Sequence, residues 1–224
     1  MKKIGTKCFL AAILGMLAVN LGGCMSKNNK LISYMEERYG KTFTYIGETN
    51  GTFGSKAFTA RLSCPDDPEA EILASWLERD GTEYYADNYM AVRYHEEAYE
   101  KLEEAVGRVF SEYRLIFATP DVLLTIEDPG AYSLEDYMDD PLACKTVYII
   151  TQEELDEEVF QALAGSFTDS GISVKGLAAQ APEGEETAGI TEDNVDEFLA
   201  GKDRVCAQVN FRLEHGTLIS ENWR

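Results

Sequence analysis

Three dipeptides do most to limit what this chain can become. Asn50-Gly51, Asp80-Gly81 and His215-Gly216 each stand between runs that alternate apolar and polar residues or are rich in aromatics. Such pairs take the positive φ angles of tight hairpin turns, which helices and long crossovers do not use. On one side lie Thr42–Ile46, Glu71–Arg79 and Val205–Leu213; on the other lie Ala57–Ser63, Glu83–Tyr89 and Thr217–Ser220. An all-helical fold is excluded. Helical spacing nevertheless recurs between the hairpins. Leu31, Tyr34, Met35 and Arg38 form one stripe, with Asn28 or Asn29 as cap and Gly40 as stop. Ala98, Leu102, Ala105, Val106, Val109 and Phe110 form the strongest one, opposite a face of Glu and Lys. Shorter helices are expected at Leu134–Met138 and Val195–Leu199, and another after a Thr151 cap with Glu154 at its third position. Strands are expected at Tyr113–Ala118, Thr146–Ile150 and Ile172–Ala178, and a break at Pro65–Pro68. The expected class is therefore α+β, with antiparallel hairpins and a few helices on one face. Two related modules would join near residues 119–131.

The first two dozen residues are a separate matter. Lys2, Lys3 and Lys7 precede an apolar run from Cys8 to Leu21, and Gly22-Gly23 lead into Cys24. A charged start, an apolar stretch and small residues make up a secretory signal peptide. The stretch is shorter than the ~20 apolar residues of a membrane span. Leu21-Gly22-Gly23-Cys24 resembles the lipobox of bacterial lipoproteins. That resemblance implies cleavage after Gly23, a lipid on Cys24 and attachment to the membrane through it, on the extracytoplasmic face. The organisation expected is a signal peptide at 1–23, a short polar tether at 24–30 and an acidic domain at 31–224.

Losing 23 of 224 residues, whose only charges are three lysines, leaves 201 residues and takes the net charge from −20 to −23. Nucleic acid is excluded as a partner, because phosphates need a Lys/Arg face. Anionic headgroups would repel such a domain, so the anchor must supply the membrane affinity. With Cys8 in the leader and Cys24 lipidated, Cys64, Cys144 and Cys206 remain. Their spacing fits no zinc pattern, and their apolar neighbours suggest buried thiols; a Cys144–Cys206 bridge is the other arrangement.

Motifs of catalysis are incomplete. His95-Glu96-Glu97-Ala98-Tyr99 has Tyr where the helical zinc signature needs a second His. Gly165-Ser166-Phe167 lacks the second glycine of a nucleophile elbow, and Gly51–Gly54 lacks the Lys-Ser/Thr of a phosphate loop. Glu135, Asp136, Asp139 and Asp140 cluster without the ordering of a calcium loop and read as a solvated helix end. No cofactor, metal or catalytic residue is assigned. The remaining feature is aromatic: Trp76, Tyr84, Tyr85, Tyr89 and Tyr94 crowd between the Gly81 turn and the long helix. Tyrosine, with an apolar body and a polar tip, serves both sheets and binding surfaces. These residues are the candidate binding surface.

Leu31-Ile32-Ser33-Tyr34-Met35-Glu36-Glu37-Arg38-Tyr39-Gly40, a following Thr/Phe strand, and Asp87-Asn88-Tyr89 ahead of the acidic helix resemble small uncharacterised lipoproteins of clostridia-like Gram-positive bacteria. The resemblance spans mainly residues 1–118 and implies a lipid-anchored envelope protein without an established activity. The function expected is a binding or accessory module with an envelope protein or peptide as partner. The alternative is an envelope hydrolase using carboxylates or an unrecognised metal site.

Overall fold

The computed structural model describes residues 26–49, 57–201 and 203–224, leaving the side chain of Glu69 aside. The expected signal peptide, Cys24 and the expected turn at Asn50-Gly51 lie outside the described residues.

Helix α1 (Lys27–Tyr39) starts within the expected tether and ends at Gly40, whose φ of +62° lets its N–H return to the Glu36 carbonyl. It buries Leu31 and Met35 completely against a four-stranded antiparallel meander. The strands are β1 (Thr44–Glu48), β2 (Phe58–Cys64), β3 (Asp67–Arg79) and β4 (Thr82–Asp87), in that spatial order. The expected break at Pro65–Pro68 narrows to a two-residue turn, because Cys64 pairs with Asp67 and Pro68 sits at the start of β3. Asp80 and Gly81 both take positive φ, +53° and +76°, as their turn requires.

A short helix α2 (Tyr89–Arg93) then leads into α3 (His95–Gly107), whose buried stripe is Ala98, Leu102, Ala105 and Val106. A second sheet follows in the order β5 (Tyr113–Phe117), β6 (Thr146–Thr151), β7 (Val174–Gln180), β8 (Ala207–Glu214) and β9 (Thr217–Trp223). Helix α4 (Leu134–Asp139) and a 3-10 turn at Pro141–Ala143 precede β6; α5 (Glu157–Asp169) joins β6 to β7; α6 (Val195–Ala200) precedes β8.

The α+β class holds, with one difference: β6 and β7 run parallel. A parallel pair needs a crossover, which α5 supplies. That helix starts later than the Thr151 cap would have it. Thr151 is still in the β6 ladder, opposite Tyr113, and its hydroxyl donates to the Glu112 carbonyl at 2.8 Å. Asp156 caps instead, accepting from the Val159 N–H at 2.9 Å with Glu157 and Glu158 in the first turn.

One continuous core joins the two sheets, running from Leu31, Leu62 and Ile72 through Leu102 and Val106 to Phe160, Phe167 and Phe211. The other face of the second sheet holds a smaller cluster of Ile116, Ile150, Ile190, Val195 and Phe198 under α6. The connection after β5 crosses to the first sheet. Leu124 and Asp87 exchange backbone hydrogen bonds of 3.0 and 2.7 Å, which stitches this strap onto the edge of β4.

Candidate functional site

The five aromatic residues of the expected surface do not share one. Tyr84 and Tyr85 are successive residues of β4, so they point to opposite faces of the sheet. Tyr84 is 52% exposed, whereas Tyr85 stacks on Tyr34 with ring centroids 4.4 Å apart. Trp76 is buried beneath Lys27 and Lys30, whose ammonium groups lie 5.8 and 4.8 Å from its ring. Tyr89 is buried against Tyr39 and Phe43. Tyr94 is buried too, donating to the Tyr132 carbonyl at 2.8 Å. Four of the five thus build the core or its edge, and only Tyr84 presents its ring to solvent.

Immediately ahead of Tyr89 is a buried polar pair, Asp87 and Asn88. Asp87 Oδ1 accepts from the Tyr39 hydroxyl at 2.8 Å and the Tyr89 N–H at 3.0 Å, while Oδ2 faces Arg38 Nε at 4.0 Å. Burial pushes the Asp87 carboxyl above its usual range, and those contacts oppose the rise. Asn88 beside it is a hub for the backbone. Its Oδ1 accepts from Leu73 N–H at 2.7 Å, and its Nδ2 donates to the carbonyls of Glu71 at 3.2 Å and Pro120 at 2.8 Å. One side chain therefore fixes the first half of β3 to the strap from the second sheet.

Between the parts that Asn88 joins is an open cleft of about 380 Å³. Its walls are Asp67, Ala70 and Glu71 of β3, Val92, Arg93, His95 and Glu96 at the α2–α3 junction, and Thr119-Pro120 of the strap. It lies at the seam of the two layers, and most of its lining is charged or polar. His95 stacks on Phe117 at 4.4 Å, and its Nδ1 is buried without a hydrogen-bond partner. Burial pulls the imidazole pKa below its ordinary value, against a smaller opposing pull from Glu192. Burial thus favours the neutral imidazole, which carries one donor and one acceptor nitrogen. Glu192 is itself pinned, accepting from the Thr119 N–H at 3.0 Å and its hydroxyl at 2.9 Å. Asp67, Glu71 and Glu96 outweigh Arg93, so the cleft favours an amine-bearing or dipolar guest.

Across the strap is a smaller cleft of about 140 Å³ lined by Tyr137, Cys144, Lys145 and Glu192 among others. Lys145 is almost wholly buried and donates to the carbonyls of Tyr137 at 2.7 Å and Asp140 at 2.9 Å. These are terminal carbonyls of α4, so the lysine caps that helix. Burial lowers its pKa to about 8, with Asp140 and Asp139 resisting.

The acidic cluster disperses into local duties. Asp136 closes a capping box with Ser133, Asp140 accepts from Leu142 N–H and the Tyr132 hydroxyl, and Asp139 meets His215 at 2.9 Å. Among the described residues, no three of His, Cys, Asp or Glu are grouped to hold a metal ion, and no helix is long and apolar enough to cross a membrane. Ser166 is a packing residue whose hydroxyl donates to the Ala105 carbonyl at 2.7 Å. Among the described residues only the thiol of Cys64 is buried; Cys144 and Cys206 are exposed and unbridged, which corrects both expectations for them. The sequence marks Asp87 and Asn88 only as part of a resemblance, without a role, and Lys145 not at all, because an isolated buried polar residue leaves no periodic signal.

No protein-family description matches the chain, and no curated protein sequence does. Among solved structures it is similar to a DUF5037 family protein from Ruminococcus gnavus ATCC 29149, at 14% identity and a TM-score of 0.43, over 86% of this chain and 94% of that one. A likeness of that degree carries no argument about fold or function.

Proposed function

We propose that this chain is a lipoprotein held by a lipid on Cys24 at the extracytoplasmic face of the cell membrane. There it serves as a non-enzymatic binding or accessory module that takes an envelope peptide or protein segment in the cleft at His95. One juxtaposition carries the reading. The lipobox cysteine stands three positions ahead of Lys27, where α1 begins, and the far end of α1 is clamped by Asp87 beside the residue that frames the cleft. Anchor and site are thus joined by one docked helix. Two acyl chains would give stable attachment, where one gives only marginal binding.

The test is expression of the full chain in a Gram-positive host beside Cys24→Ala and the pair Glu96→Lys with His95→Ala. Mass spectrometry should find a diacylglycerol-modified N-terminal cysteine only where Cys24 is kept. Cross-linking on intact membranes should capture a specific envelope partner with the parent chain and lose it with the cleft variant. Capture that ignores the cleft changes, or turnover of a wall-derived substrate without a partner, would overturn the binding reading.

A further inference from the structure

The first sheet has two unlike ends, and α1 runs from one to the other. At the first end, Lys27 and Lys30 lie over Trp76, and Lys30 pairs with Glu83 beside the β3–β4 turn. At the second, Tyr34, Arg38 and Tyr39 gather on Asp87. Leu31 and Met35 are fully buried between these contacts, so the direction of the helix relative to the sheet is fixed. The cleft belongs to the second end, since Asp67 and Glu71 open β3 and Arg79 closes it.

We propose that the first end, made of the first turn of α1 and the β3–β4 hairpin, rests on the lipid headgroup layer, so that the cleft faces away from the bilayer. The inference depends on lipidation of Cys24 and adds an orientation to it. The reach of the chain sets it: the steps from Cys24 to Lys27 span about 10 Å at full extension. The first turn of α1 must therefore stay within that distance of the acylated residue. The eight steps from Glu71 to Arg79 cover roughly 25 Å of strand, which puts the cleft that much farther out.

Charge favours the same pose. Lys27, Lys30 and Arg79 balance Glu78, Asp80 and Glu83 at the hairpin end, whereas carboxylates prevail around the cleft and in the chain at large. Anionic headgroups repel the acidic end and tolerate the balanced one. The exposed ring of Tyr84, paired across the strands with Leu77, adds an amphipathic flank suited to the headgroup region.

The experiment uses the full lipidated chain in vesicles of phosphatidylglycerol and phosphatidylethanolamine, with Cys144→Ala and Cys206→Ser to remove the exposed thiols. A fluorophore is attached at Thr82→Cys or Glu78→Cys at the hairpin end, and at Glu71→Cys or Glu96→Cys at the cleft. Quenching by headgroup-attached nitroxide should be several-fold stronger at both hairpin positions than at both cleft positions. Equal quenching at the two ends, or stronger quenching at the cleft, in protein whose lipid on Cys24 is verified by mass, would overturn the orientation alone. Absence of that lipid would overturn the orientation and the lipoprotein reading together.

Discussion

Replacing Asn88 by alanine should cost the domain about 3 kcal/mol. The side chain is 1% exposed and makes three hydrogen bonds to backbone: one accepted from Leu73, two donated to Glu71 and Pro120. A net hydrogen bond contributes ~1 kcal/mol, and a buried group left without a partner costs ~1–3 kcal/mol. Water can reach the Glu71 and Pro120 carbonyls once the side chain is gone, because both residues line the open cleft. The larger part of the penalty should therefore fall on the Leu73 N–H. For a domain of this size ~3 kcal/mol corresponds to a fall in Tm of about 6–12 °C. Urea unfolding should show a lower midpoint at an unchanged slope. Amide exchange should quicken at Leu73 and around Thr119, since the strap loses its tie to β3. A change under 0.5 kcal/mol, or exchange that quickens evenly over the whole domain, would refute the assignment of Asn88 as the link between the two sheets.

Asp87→Asn tests the buried carboxyl. Its folded pKa is raised by burial, so the ionised form is disfavoured in the native state, and stability is lost as pH climbs through that raised pKa. The parent chain should therefore lose ground to Asp87→Asn as pH rises from about 4, which paired urea curves across the acid range would measure. Lys145 acts at the alkaline side. With its pKa lowered from 10.5 to about 8, the unfolded chain binds the proton more readily between those values, so stability should increase with pH there, by at most ~3 kcal/mol. Lys145→Met should flatten that slope in the same measurement. Gly176→Ala should destabilise by ~2–3 kcal/mol, because a Cβ would lie 2.5 Å from Phe211 Cζ and 2.8 Å from Val147 Cγ2 inside the sheet; thermal unfolding reads it directly.

Much of the architecture was legible because it follows from periodicity and turn chemistry. The Asp80-Gly81 and His215-Gly216 hairpins adopt the positive φ angles their residues imply, and α3 buries the apolar stripe read from residues 98–106. What escaped depends on partners distant in the chain. The parallel seam of β6 and β7 is invisible locally, since Thr146–Ile150 would look the same in either sense. Thr151 satisfies the capping pattern yet is held in a strand by Tyr113, 38 positions earlier. The aromatic surface failed on a local rule: Tyr84 and Tyr85 cannot face the same way on one strand. The site was hardest to see, because His95, Asn88 and Thr119 meet only once the strap has crossed to the first sheet.

The shared interior of the two sheets limits how this protein could be divided. A cut in the strap between residues 119 and 131 falls in an apparent linker, yet Leu102 and Val106 on one side and Phe160 and Phe167 on the other fill the same apolar volume. Each fragment made alone would show a bare greasy face and aggregate. Co-expressed, the two should recombine into a complementing pair that melts in a single calorimetric peak.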